Sequence, residues 1–258
     1  MAAGLKLANL YPRSPLVFGH RGASAFAPEN TLAAFRLALE QGADGVELDV
    51  ILSADGVPVA IHDDTLDRTT TGRGSVSRLT LAELKQLDAG YRARFGAQFP
   101  AEPIPTLAEV FEVCGDQTII NIELKHDHSP GRQLAARVVE LIHAYGRQGR
   151  VIVSSFQFSS LGRLKALDPA LPVGLLYMAP VFGPRLAQCL ARRLPHEAHH
   201  PPAAGLTAGE IAWCHQQGLR VNAWTVDDED GLRRLALAGV DGLITNRPDV
   251  AVKARASL

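Results

Sequence analysis

Eight short apolar runs, each leading towards a segment with helical spacing, predict an α/β fold, a (β/α)8 TIM barrel with a small insertion after the second barrel strand. Two further observations favour this closed parallel barrel over an open doubly wound sheet. The 258 residues, 47% hydrophobic and 21% charged, match the common size of such a barrel. No Gly-x-Gly-x-x-Gly follows a strand, as dinucleotide-binding sheets require. Residues 1–258 read as a single domain, with the insertion at about 63–105.

The first unit starts with the apolar run Leu16 to Phe18, which stops at Gly19 and meets His20-Arg21 where a buried strand leaves the core. Pro28-Glu29-Asn30-Thr31 then carries start signals for a helix with apolar positions Leu32, Phe35 and Leu39. Gly42 ends that pattern and a strand follows, Val46 to Leu52. Asp55-Gly56 marks a hairpin, so Val57 to Ile61 folds back antiparallel and carries His62 towards that strand. Residues 63–105 break the rhythm. Arg68 to Gly74 is loop-like, Thr80-Leu81-Ala82-Glu83 is a capping-box start, and the segment is longer than an ordinary connection, as expected of a lid or small subdomain. Thr106-Leu107-Ala108-Glu109 starts a further helix in the same way.

Alternation then resumes, with strands expected at Ile119 to Leu124, Val151 to Ser154, Pro172 to Leu176, Glu197 to His200, Arg220 to Trp224 and Gly242 to Thr245. Helical patterns lie between them at 132–145, 158–168, 183–194, 207–217 and 228–238.

Composition excludes several classes. The 26 basic and 27 acidic residues nearly balance, and no basic run exceeds Arg192-Arg193 or Arg233-Arg234, so no nucleic-acid groove is expected. The three cysteines, Cys114, Cys189 and Cys214, have no Cys-x-x-Cys spacing and read as reduced core residues of a cytoplasmic protein. The N-terminus lacks a signal-peptide pattern, and no run approaches the ~18 apolar residues of a membrane span. Neither export nor stable membrane association is expected.

Polar residues collect where the barrel strands end, which is where barrels of this class place their active sites. His20-Arg21 ends the first strand. Glu47 and Asp49, at i and i+2, share one face of the second, and Asn121, Glu123 and Lys125 share one face of the next. Asn222 and Trp224 repeat the spacing later. Buried carboxylates on one face repel unless a cation compensates them. Glu47, Asp49 and Glu123 offer only oxygen, which suits a hard divalent cation such as Mg²⁺ or Ca²⁺. Two histidines, an arginine and a lysine around such an ion suit an anionic substrate and a proton-transfer step, as phosphodiester cleavage requires.

The motifs H-R-G-x-x-x-x-x-P-E-N-T, G-x-D-G-V-E-L-D-V, D-G-V-P-V-x-x-H-D, N-I-E-L-K, V-N-A-W-T-V and G-V-D-G-L-I-T-N-R-P-D, in this order from Leu16 to Asp249, resemble the glycerophosphodiester phosphodiesterase family of cytoplasmic bacterial type. The resemblance implies metal-dependent hydrolysis of glycerophosphodiesters, such as glycerophosphocholine or glycerophosphoethanolamine, to sn-glycerol 3-phosphate and an alcohol. It implies that His20 and His62 are the acid/base pair, that Glu47, Asp49 and Glu123 bind the metal, and that Arg21 and Lys125 contact phosphate. Trp224 and Phe156, with Asn222, are the further substrate-binding candidates. The chain departs from the family pattern at Asp227, where many members have Asn, and at Asn246, where Asp is usual; both bear on local loop hydrogen bonding.

The same residues bear on other functions. A Schiff-base aldolase would use Lys125 as its amine, but the three metal-suited carboxylates speak against it. A non-catalytic phosphate-ester binder would not need both histidines. A lysophospholipase D-like phosphodiesterase is closer in chemistry, yet no membrane-binding helix is evident. His196-Glu197-Ala198-His199-His200 matches the zinc-protease pattern, which requires a helix, and Pro201-Pro202 opposes one there. A loop entering a short strand, with His200 reaching the barrel mouth, is the expected reading.

Overall fold

A computed structural model describes residues 10–99, 101–126, 133–178 and 183–257. In chain order the first elements are β1 (Leu16–His20), α1 (Leu32–Glu40), β2 (Gly45–Leu52) and β3 (Pro58–Ala60). Two one-turn helices follow, α2 (Leu81–Leu84) and α3 (Arg92–Phe95), and then α4 (Leu107–Cys114). The remainder alternates: β4 (Ile119–Leu124), α5 (Leu134–Ala144), β5 (Val151–Ser155), α6 (Phe158–Leu167), β6 (Val173–Leu176) and α7 (Pro184–Leu190). It continues with β7 (Ala198–His200), α8 (Ala208–Gln216), β8 (Arg220–Ala223), α9 (Glu229–Leu237), β9 (Gly242–Thr245) and α10 (Pro248–Ala256).

All strands except β3 pair in parallel, in the order β1-β9-β8-β7-β6-β5-β4-β2, and β1 also pairs with β2, so the sheet closes into the expected eight-stranded barrel. β3 lies antiparallel on β2, with Val50 opposite Ala60, which is the hairpin arm that Asp55-Gly56 predicts. The expected helices are present with slightly shorter bounds. Residue 132, the start of one expected helix, lies outside the described residues, as do residues 1–9. α10 is an additional helix that closes the eighth unit.

Strand residues alternate between two environments. Phe35 and Ala38 of α1, Val46, Leu48 and Val50 of β2, Ile120 and Ile122 of β4 and Val153 of β5 form the layer between barrel and helices. The inward-facing residues divide by height. Leu10, Leu16, Phe18, Ile119 and Ile244 plug the lower interior with apolar volume, and the carboxylates of β2 and β4 stand above them. Truncating one of the plug's large aliphatic side chains costs about 2–5 kcal/mol.

Thr31 caps α1, its Oγ1 accepting from Ala34 N at 3.2 Å. Thr80 and Thr106 each form the capping box that their sequences predict, with Glu83 and Glu109. Within 63–105, Leu66, Val76, Leu84, Ala89 and Ile104 pack against Ile51, Val59 and Ile61, giving that segment its own apolar cluster on the hairpin arm. The pattern His196 to His200 is not helical: Ala198–His200 is strand, and Glu197 pairs with Lys165 at 2.7 Å, so the zinc-protease geometry is absent. No helix among the described residues is long and apolar enough to cross a membrane.

Candidate active site

The turn that leaves β1 is shaped for close approach. Arg21 has φ 55°, in the left-handed region, and Gly22 follows with φ 83°. A Cβ on Gly22 would lie 2.5 Å from the backbone of Ala34, so only glycine lets this turn press against α1. Such strain in a non-glycine residue persists where surrounding contacts over-determine it. Here they do: Arg21 N donates to Glu47 Oε2 at 3.0 Å, and the guanidinium pairs with Glu29 at 2.9 Å and with Asp49 at 3.1 Å.

Glu47, Asp49 and Glu123 are all buried, and one carboxylate oxygen from each lies within 4.8 Å of the other two. The register explains this, because Asp49 of β2 sits directly beside Glu123 of β4. Burial, with repulsion from Asp49 and Glu123, holds the Glu47 carboxyl well above the usual carboxylate range. Burial and Asp49 push Glu123 up to about 7. Burial also acts on Asp49, but Arg21, Lys125, His62 and the Asn30 hydrogen bond outweigh it and hold that carboxyl low. Lys125 Nζ lies 2.9 Å from Glu123 and 3.5 Å from Asp49, leaving Asp49 Oδ1 buried without a hydrogen bond. An orphaned buried carboxylate oxygen beside two more carboxylates fits a hard divalent cation with oxygen ligands.

The two histidines flank this cluster and each is held at Nδ1. His20 Nδ1 meets Asn246 Oδ1 at 2.7 Å, and its Nε2 lies 3.9 Å from Glu47. Burial, followed by the Arg21 charge, lowers His20 to about 4. His62 Nδ1 donates to Asp63 Oδ1 at 2.6 Å. Asp63 in turn accepts from Arg68 Nε at 2.6 Å, and Arg68 also grips Glu29 with Nη1 and Nη2.

His20, Arg21, Glu47, His62, Glu123, Lys125, Phe156 and Trp224 line one cleft at the C-terminal mouth of the barrel, with Asn121, Ser154, Leu176 and Ile244. Phe156 and Trp224 meet edge-to-face with centroids 5.7 Å apart and form its apolar side. Asp49, level with Glu123 on the neighbouring strand, completes the cluster. Asn222 lies deeper: it is buried, and its Nδ2 donates to Tyr11 Oη at 2.6 Å and faces His200 Nε2 at 2.9 Å. His200 is likewise inside the barrel and below the mouth, where it fills the space that the missing side chain of Gly174 leaves. A larger cavity of about 450 Å³ opens at the other end of the barrel, but its lining holds one carboxylate and no histidine: Asp44 pairs with Arg13, and Arg150 donates to Gln117. Chemistry, not size, selects the mouth.

Glu29, Arg68, Asp63 and Asn30 are parts of the site that strand-end reasoning does not reach. Glu29 and Asn30 stand in a helix-start signal, and Arg68 in a polar loop whose position the sequence leaves open.

The family model for the glycerophosphoryl diester phosphodiesterase family matches residues 20–250. The chain belongs to this family. A glycerophosphodiester phosphodiesterase from Caldanaerobacter subterraneus subsp. tengcongensis is 42% identical over 238 residues, 92% of this chain and 96% of the relative. The glycerophosphodiester phosphodiesterase of Bacillus altitudinis is 37% identical, over 93% of this chain and 97% of its own. Among solved structures, an Oleispira antarctica phosphodiesterase in complex with the product sn-glycerol-3-phosphate superposes with a TM-score of 0.86 and 36% identity, covering 93% of this chain and 96% of that one. The Agrobacterium tumefaciens glycerophosphodiester phosphodiesterase gives a TM-score of 0.80 at 32% identity, covering 93% and 99%.

Proposed function

We propose that this protein hydrolyses glycerophosphodiesters such as glycerophosphocholine or glycerophosphoethanolamine, releasing sn-glycerol 3-phosphate and an alcohol. The observation that carries the reading is the convergence of Glu47, Asp49 and Glu123 between two cations and two Nδ1-anchored histidines at one barrel mouth. Glu47, Asp49 and Glu123 are the ligands of a divalent cation, Mg²⁺ or Ca²⁺. When bound, it withdraws charge from the phosphoryl oxygens and offsets the carboxylate repulsion.

Arg21 and Lys125 hold the phosphate oxygens, and their own carboxylate partners keep both side chains aimed into the cleft. His20 and His62, each anchored at Nδ1, exchange protons at Nε2 as the general acid and base. Phe156 and Trp224 offer an apolar wall to the glycerol skeleton. Segment 63–105 is an insertion that braces the mouth, through Arg68 on Glu29 and Asp63. The substrate is a small molecule reached from water, and a cytoplasmic location suits it. The test is release of sn-glycerol 3-phosphate from glycerophosphocholine by the pure protein with and without added Mg²⁺ or Ca²⁺.

A further inference from the structure

Behind His20 lies a chain of groups that ends on a carboxylate the cleft never touches. Asp227 sits in the loop after β8. Its Oδ1 accepts from Asn246 N at 2.8 Å and from Thr245 Oγ1 at 3.1 Å, and its Oδ2 lies 2.6 Å from the Asn246 side-chain nitrogen. An ionised carboxylate only accepts, so the end of the Asn246 amide that faces it must be the NH2 group. The carbonyl oxygen, Oδ1, is thereby forced to the other side, where it meets His20 Nδ1 at 2.7 Å and receives Ser24 Oγ–H at 2.6 Å. An amide oxygen cannot donate. His20 Nδ1 must therefore carry the hydrogen, which leaves Nε2 as the atom open to the cleft.

We propose that Asp227, acting through Asn246, is a positioning residue that fixes the proton of His20 on Nδ1 and so reserves Nε2 for exchange with substrate. The inference rests on the acid/base reading of His20. It holds for either role, since both require Nε2 to take up and return a proton while Nδ1 stays a donor. The same arrangement can be built with the two residue types exchanged. With Asn at 227 and Asp at 246 the same hydrogen-bond directions are met with the carboxylate placed directly on the imidazole.

The exchange makes the logic testable one step at a time. In Asp227→Asn, the oxygen of residue 227 is still claimed by the Asn246 backbone N–H, so its new NH2 faces Asn246. The Asn246 amide then turns over and offers NH2 to His20 Nδ1, which selects the Nε2–H form. In Asp227→Asn combined with Asn246→Asp, the NH2 of residue 227 meets a carboxylate oxygen and the other oxygen again accepts from Nδ1.

Imidazole ¹⁵N spectra of the histidine-labelled full chain, with the His20 signals identified by their loss in His20→Gln, read the tautomer without reference to activity. We expect Nδ1–H in the parent protein, Nε2–H in Asp227→Asn, and Nδ1–H again in the double variant. Turnover of glycerophosphocholine should fall ~10²-fold or more in Asp227→Asn, mainly in kcat. The double variant should regain at least tenfold over that single variant. An unchanged Nδ1–H signature in Asp227→Asn, or a double variant no better than the single, overturns the proposal. Should His20→Gln itself keep near-parental turnover, the acid/base reading of His20 fails and the catalytic half of this inference goes with it, whereas the spectra still judge the tautomer alone.

Discussion

Arg68 grips Glu29 with both terminal nitrogens, each 2.8 Å from a carboxylate oxygen, although 39 residues separate them. The same Glu29 holds Arg21, and the same Arg68 holds the Asp63 that anchors His62. One guanidinium in the segment beyond the barrel thus steadies both Arg21, the proposed phosphate contact, and His62, one of the proposed acid/base pair.

Removing it should therefore harm function more than stability. Arg68 is over a third exposed, and an ion pair in that setting contributes little to folding. A small misplacement of reacting groups can nonetheless cost up to ~10²-fold in rate. Arg68→Ala should lower kcat for glycerophosphocholine by roughly 10- to 100-fold with a melting temperature within a few degrees of the parent, and Arg68→Lys, which cannot bridge bidentately, should recover only part of it. Parental kcat in Arg68→Ala would show that the bridge is incidental.

His20→Ala and His62→Ala should each reduce turnover ~10²–10⁴-fold while circular dichroism shows an intact fold. His62 reaches the cleft from the hairpin arm and His20 from the barrel wall, so neither substitution removes core packing. Near-normal turnover in either variant would remove that histidine from the acid/base pair.

Trp224 should govern which diesters are preferred. With Phe156 it forms the apolar side of the cleft, and its Nε1–H donates to His200 O at 2.7 Å, which fixes the ring. Trp224→Ala should hurt glycerophosphodiesters more than bis(p-nitrophenyl) phosphate, compared as kcat/KM. Equal losses on both would mean that this surface does not recognise glycerol.

Much of this arrangement is legible in the chain, for identifiable reasons. Parallel barrel strands are buried on both faces, so they stand out as short apolar runs such as Val151 to Ser155. The spacing of Glu47 with Asp49, and of Glu123 with Lys125, survives folding because alternation along a strand is a local property. Depth is not local. Asn222 and Trp224 share a face, yet the first lies among Tyr11 and His200 inside the barrel while the second, two residues higher, reaches the cleft; the stagger between strands decides where along this segment the mouth falls. Partnerships across long separations are also silent in sequence: nothing in Arg68 or Glu29 announces the other.

The buried histidines give the fold a pH dependence of predictable sign. Burial lowers both His199 and His200 to about 3. In the unfolded chain an imidazole takes up its proton near ~6.5. The folded pKa values are depressed, so their contribution is fully present above about 6.5, where neither state is protonated, and is lost as pH falls towards 3, where only the unfolded chain binds the protons. Each should subtract on the order of 1 kcal/mol per pH unit across that window. Urea unfolding between pH 7 and pH 4.5 should show this slope, and His200→Gln should flatten it by about half of the two-histidine share. An identical slope in the variant would assign the acid sensitivity to other groups.

Glycerophosphodiester hydrolysis should depend on a divalent cation held by the three buried carboxylates Glu47, Asp49 and Glu123. The most direct test is sn-glycerol 3-phosphate release from glycerophosphocholine by exhaustively chelated protein, followed by back-titration with Mg²⁺ or Ca²⁺, in the parent and in Glu123→Gln. Chelation should abolish release, one of the two ions should restore it in the parent, and Glu123→Gln should need a markedly higher concentration of that ion for any recovery. Undiminished release after chelation, or an unchanged ion requirement in Glu123→Gln, would contradict the metal assignment.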